Sequence, residues 1–223
     1  MKIKKVYLGR KQIYPDWWSP GENTLFYFPL KSDLLDYSWN NVSATWWWTV
    51  TYQAWSGAYL SWELSINYST QPTNFTISWY IKNRNSNDTI FAIWNAKLSW
   101  WYAWFEIATN VKDIVSTNKI RAEVLKSSWA IWKTSYSATT TTWNHVCMVI
   151  NWDNNTWYIY INWNLSWSNS ISWYLKSTLN WFLNKRVDNQ WMYFWDIILE
   201  SKVRTAQEVA DYFNQTKSNY WIS

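Results

Sequence analysis

Glycine is almost missing from this chain, and that shortage limits how the backbone can turn. Three glycines stand among 223 residues, beside 25 tryptophans. Average usage would supply about 16 glycines at this length. Turns that need φ > 0 fall to glycine because it has no Cβ, and a bulky residue there is strained. The tryptophans stand at such places. Asp36-Tyr37-Ser38-Trp39-Asn40-Asn41 has the composition of a turn, with an indole at its pivot. Ile161-Asn162-Trp163-Asn164 joins two apolar runs where Asn-Gly would make the favoured hairpin. Trp46-Trp47-Trp48 and Trp100-Trp101 read more easily as flexible glycine runs.

Most of these letters are therefore read as positions selected for glycine. A reassigned stop codon accounts for the pattern, because UGA means Trp in one alternative genetic code and Gly in another. A gene from a glycine-decoding bacterium, or from its phage, translated with the other table would yield this sequence. The competing reading is a genuinely tryptophan-rich, sugar-stacking surface.

Length and charge narrow the classes. The chain suits one large domain, and all-β sandwiches run to about 200–250 residues. The single Cys147 excludes an internal disulfide framework, and no Cys/His pairing suggests zinc. Cys147 lies in the apolar run 145–150, which predicts a buried, inert thiol. The net charge of +5 is modest and owes part to Lys2, Lys4 and Lys5. That is a solubilising terminus rather than the concentrated basic face of a nucleic-acid binder. Val6-Tyr7-Leu8 is too short for a signal-peptide core, and no run of about 20 apolar residues marks a membrane span.

Residues 1–22 read as a leader, with one short strand and a proline-rich link from Pro15 to Pro20. Residues 23–223 read as the main domain. Short runs rich in aromatic and β-branched residues recur there, at 24–28, 75–81, 89–93, 103–107 and 157–161, separated by Asn, Ser, Thr and Trp. Many short strands with frequent turns indicate a sandwich or barrel. One helix is expected over about 205–217. Thr205-Ala206-Gln207-Glu208 is a capping box, with Val209, Ala210 and Phe213 following at helical spacing. Trp221 falls in its C-cap region.

Three stretches together resemble the LamG-like jelly roll of the concanavalin A-like lectin/glucanase superfamily. They are Leu25–Leu30 followed by Asp36–Asn41, Thr142-Trp143-Asn144-His145-Val146 followed by Trp157–Trp163, and Trp195–Glu200 followed by Thr205–Val209. Their order and spacing agree over residues 24–217. Trp39, Trp163 and Trp195 stand at the family's glycine positions, whereas Trp143 stands where the family itself has Trp. The resemblance implies an all-β fold, a two-sheet antiparallel jelly-roll sandwich with one short C-terminal helix. It implies structural roles for Trp143, His145, Asn162, Thr205 and Glu208. It also leaves room for a structural calcium, with Asp36, Asn40 and Asp196 near the metal loops of such domains. Asp153, beside Asn155, offers another oxygen-rich turn, and ordinary Asx-turn chemistry is the alternative for each.

The chemistry for catalysis is thin. The superfamily's glucanases carry Glu-x-Asp-x-x-Glu on one strand face, where paired carboxylates act as nucleophile and acid. That motif is missing here. Asp196 and Glu200 share strand parity with only apolar residues between them, Glu106 is isolated, and His145 is the only histidine, on a predicted core strand. A non-enzyme is expected, with no catalytic or cofactor-binding residue. Tyr80, Tyr102, Tyr136 and Tyr174 are aromatic under either code, and sheet packing is the usual role of such residues. The expected function is noncatalytic recognition of a glycan or host-surface ligand, as a phage tail, fibre or decoration protein or a surface protein. The alternatives are a purely structural virion or assembly protein, with self-association or virion partners, and a glycoside hydrolase.

Overall fold

The computed structural model describes residues 7–8, 11–12, 21–31, 33–46, 50–53, 57–60, 64–68, 72–83, 90–92, 96–98, 101–103, 105–109, 119–125, 131–137, 142–170, 181–183 and 192–220. Two paired dipeptides come first, β1 (Tyr7–Leu8) and β2 (Lys11–Gln12). With residues 21–22, they are the described part of the expected leader. Then come β3 (Thr24–Phe28), β4 (Ser43–Trp46), β5 (Val50–Gln53), β6 (Gly57–Leu60), β7 (Leu64–Asn67) and the long β8 (Phe75–Asn83). The middle of the chain holds β9 (Ile90–Ala92), β10 (Ala96–Leu98), β11 (Trp101–Ala103), β12 (Phe105–Thr109), β13 (Lys119–Leu125) and β14 (Ile131–Ser137). After these run β15 (Asn144–Asn151), β16 (Thr156–Ile161), β17 (Asn164–Ser170), β18 (Trp181–Leu183), β19 (Met192–Glu200) and the helix α1 (Ala206–Thr216). The fold is the antiparallel all-β sandwich with one short helix that the strand pattern predicts.

The largest sheet has eight strands in the order β17-β16-β15-β8-β19-β6-β5, with β3 also pairing β19. Along one edge, β19 pairs first with β6 through Met192–Phe194 and then with β3 through Ile197–Glu200. A three-stranded sheet, β18-β7-β4, supplies the second layer. Alternation along each strand sends one set of side chains to each face. Phe75, Ile77, Trp79 and Ile81 of β8 join Val146, Met148 and Ile150 of β15 in the inner core, where Ile66 and Ala44 meet them from the other sheet. A four-stranded sheet, β14-β13-β12-β9, and the antiparallel pair β10-β11 complete the described strands.

The outer face of the large sheet is also apolar, and α1 covers part of it. Thr205 caps the helix. Its hydroxyl accepts from Glu208 N at 3.2 Å, and Glu208 Oε2 accepts from Thr205 N at 2.8 Å. Buried Val209, Tyr212, Phe213 and Thr216 form the helix stripe, so Tyr212 takes the contact role expected of Ala210, which stays half-exposed. Val209 packs with Cys147, Val149 and Tyr160 of the sheet. A short 3-10 turn, Lys217–Tyr220, follows. Trp221 lies outside the described residues.

Glycine chemistry is visible at one of the three tested positions. Asn162 and Trp163 have φ of 48° and 67°, the pair of positive angles that a type I′ hairpin turn requires. Trp39 and Trp195 do not take positive φ; their neighbours Asn41 (54°) and Asp196 (46°) do. Asn and Asp tolerate that conformation because their short side chains bond locally, which removes the demand for glycine one or two residues away.

Candidate binding face

Beyond the helix, the outer face becomes a belt of aromatic rings. Alternation places Tyr27 of β3, Tyr80 of β8, and Tyr193 and Trp195 of β19 on this side, with Trp143 leading into β15. The Trp143 ring lies 5.8 Å from Trp195 and 6.4 Å from Tyr193. Tyr27 meets Tyr37 edge-on at 6.3 Å. Tyr27, Tyr80, Trp143 and Trp195 are buried, whereas Tyr37 and Tyr193 are half-exposed at the rim. The exposed Lys31 holds its ammonium 5.7 Å from the centre of the Trp195 ring. Asp33 accepts from the Tyr37 hydroxyl at 3.1 Å.

Two features position this belt. The first is the loop after β3, anchored by Asp36. The Asp36 carboxylate accepts from the backbone of Tyr27 (2.8 Å), Ser38 (2.9 Å) and Val42 (2.8 Å) and from the Ser38 hydroxyl (2.6 Å). Asn40 adds bonds to the carbonyls of Thr24 and Leu25. The second is a β-bulge in β19. Trp195 pairs with Tyr80 but Ile198 pairs with Ser78, so one extra residue is accommodated. The bulge puts Asp196 on the same face as Trp195 and Tyr27. It is fully buried, and it accepts from the Tyr27 hydroxyl at 2.8 Å. Burial pushes its carboxyl up to about 7, opposed by Lys31 and by the Tyr27 hydrogen bond.

The residues expected near a calcium are engaged by protein partners. The ion wants about 6–8 oxygen ligands. Asp36 has both oxygens committed to four protein donors, which is Asx-turn chemistry. Asn40 turns its amide nitrogen, not a ligand oxygen, toward β3. Asp196 is spent on Tyr27. Asp153 stands on the β15–β16 hairpin, where Asn74 donates to it at 2.6 Å. Among the described residues, no three acidic, His or Cys side chains converge as a metal site.

The remaining expected residues have clear positions. Asn162 ties the β16–β17 turn to β15: His145 N donates to Asn162 Oδ1 at 2.8 Å, and Asn162 N donates to His145 O at 2.9 Å. Its amide also donates to Asn144 Oδ1 at 3.1 Å. His145 is fully buried beneath α1, and burial, reinforced by Arg204, lowers its pKa to about 3. Burial likewise pushes the Cys147 thiol up to about 12. Asp196 and Glu200 share the outer face, as their parity predicts, since Ile197 and Leu199 point to the inner core, and Glu200 is a buried partner of Arg204 Nε. These two carboxylates make no acid–nucleophile pair. Tyr80 packs in the sheet, buried with its hydroxyl on Thr216. The side chains of Glu106, Tyr102 and Tyr136 and the whole of Tyr174 lie outside the described residues.

Sequence reasoning missed Lys31, Asp33, Tyr37 and Tyr193. The alternation of Tyr193 and Trp195 was a usable signal for the last. No local pattern marks Lys31, whose place depends on β3 pairing with a strand near the other end of the chain.

No family model matches the sequence, and no curated protein is similar to it. Solved structures do share its fold. The binding domain of botulinum neurotoxin serotype D superposes with a TM-score of 0.69 at 16% identity, over 86% of this chain and 51% of that one. That serotype's ligand-binding domain in complex with N-acetylneuraminic acid gives 0.69 at 16%, over 86% and 50%. The type G receptor-binding domain gives 0.68 at 12%, over 86% and 51%. The chain thus spans about half the length of these domains. At identities this low the likeness shows the fold alone, an antiparallel β-sandwich. By name these neighbours are binding, ligand-binding and receptor-binding domains. Among the described residues, no helix is long and apolar enough to cross a membrane.

Proposed function

We propose that this chain is a noncatalytic recognition module of LamG-like kind that binds a glycan on a host or cell surface, displayed by a phage virion or a cell. The observation that carries the reading is the outer-face belt. It offers half-exposed rings of Tyr37 and Tyr193 beside the charged groups of Lys31 and Asp33. Sugar rings stack on aromatic faces while their hydroxyls bond to such polar neighbours. The fold shared with receptor- and ligand-binding domains supports the same reading. A glycan array tests it. Binding is expected, weakened by Tyr193→Ala and by Lys31→Ala and unchanged by EDTA. A folded protein that engages neither glycans nor host cells refutes it.

The same proposal takes most of the tryptophan positions as glycine in the organism's own protein, produced where UGA is decoded as glycine. Trp163 supports this, because its positive φ suits a residue with no side chain. Trp39 adds support, since its indole is 71% exposed and joins no core. Peptide mass spectrometry of the protein from its source is the test: glycine is expected at position 163 and tryptophan at 143. Tryptophan at both removes the recoding reading and leaves the recognition reading standing.

A further inference from the structure

The seam between α1 and the large sheet holds polar atoms that no described residue satisfies. His145 is fully buried, with ring centres of Tyr80, Tyr212 and Phe213 at 4.9, 5.4 and 6.0 Å. Neither of its ring nitrogens finds a hydrogen-bond partner among the described residues. Arg204 is also buried. It spends Nε on Glu200 and lays its guanidinium 4.6 Å from the Tyr212 ring centre, but Nη1 finds no partner among them either. Buried polar groups are rarely left this way, because each unmet donor or acceptor costs stability.

We propose that at least one long-lived water molecule is bound in this seam, accepting from Arg204 Nη1 and donating to His145. The chemistry selects water. A neutral imidazole presents one donor and one acceptor, and Arg204 adds a donor, so the guest must both give and take hydrogen bonds. Glu200 already matches the Arg204 charge, which leaves none for an anion, and the guanidinium repels a cation. The rings of Tyr80, Tyr212 and Phe213 close around His145 with centres 4.9, 5.4 and 6.0 Å away, which favours the smallest guest. Internal waters typically make two to four such bonds. This water would link β15 to α1 and so help orient Tyr80 and Tyr212, which back the aromatic belt.

Water-to-protein NOE spectroscopy on the full chain tests the site. Cross-peaks from a long-lived water to the ring protons of His145, Tyr212 and Phe213 are expected. They should disappear in His145→Phe and persist in His145→Gln, which keeps a donor and an acceptor. Two results overturn the proposal: no such cross-peaks in the unaltered protein, or cross-peaks that survive unchanged in His145→Phe. If the Phe variant fails to fold, the spectra of the unaltered and Gln proteins decide.

Discussion

Replacing Asp196 by Asn should make this protein acid-sensitive over a range where the unaltered chain shows little response from two buried groups, His145 and Asp196. His145 falls from 6.5 to about 3 on folding, because burial opposes the cation. The unfolded chain therefore takes up a proton below 6.5 that the folded chain refuses until about 3. Its stabilisation is full above 6.5 and is lost as pH falls through that window, at about 1.4 kcal/mol per pH unit. Asp196 moves the other way, from 3.8 to about 7. The folded chain keeps a proton that the unfolded chain gives up, so this stabilisation is full below 3.8 and is lost as pH rises toward 7. Between 3.8 and 6.5 the two slopes are equal and opposite. The substituted amide would still accept from the Tyr27 hydroxyl but could not titrate. The variant should then lose roughly 3 kcal/mol between pH 6.5 and about pH 4. Urea midpoints across that range measure it. His145→Phe should show the mirror image, gaining stability as pH falls. An Asp196→Asn variant whose stability is as flat as the parent's would refute the opposed pair.

Three further outcomes are expected. Trp163→Gly should raise stability by about 1–2 kcal/mol by relieving a bulky residue at positive φ, seen as a higher denaturant midpoint. Thr205→Ala should cost about 1 kcal/mol through the lost cap, with a matching fall in melting temperature. Arg204→Met should cost about 3–5 kcal/mol, because it leaves the Glu200 carboxylate buried without its partner, and adding Glu200→Gln should recover part of that loss in calorimetry.

Much of the fold is legible along the chain. Phe75 to Ile81 and Trp157 to Ile161 alternate cleanly, and both form strands. Thr205 and Glu208 announce the helix through a local motif that needs no tertiary help. The hairpin at Asn162-Trp163 is readable because its backbone requirement is confined to two residues. The bulge at Trp195–Ile198 is not readable, since Trp-Asp-Ile-Ile has the same look in a regular strand. Missing it puts Trp195 and Asp196 on opposite faces, whereas both lie on the outer one. Asp36 misleads for a related reason: its type suits calcium, and only the folded loop shows that protein donors already occupy both oxygens. The aromatic belt is assembled from β3, β8, β15 and β19, so no window of sequence contains it.

The hydrogen bond from Tyr27 to Asp196 joins residues 169 positions apart. The partner of β3 is thus synthesised long after β3 itself, and α1 emerges later still. A nascent chain must keep Phe26, Tyr27 and Phe28 soluble while almost everything between them and their partner is made. Closing so long a loop is entropically expensive and kinetically slow. Refolding from denaturant should therefore end in a late phase that reports on Tyr27, after the hairpin of β15 and β16 has already formed.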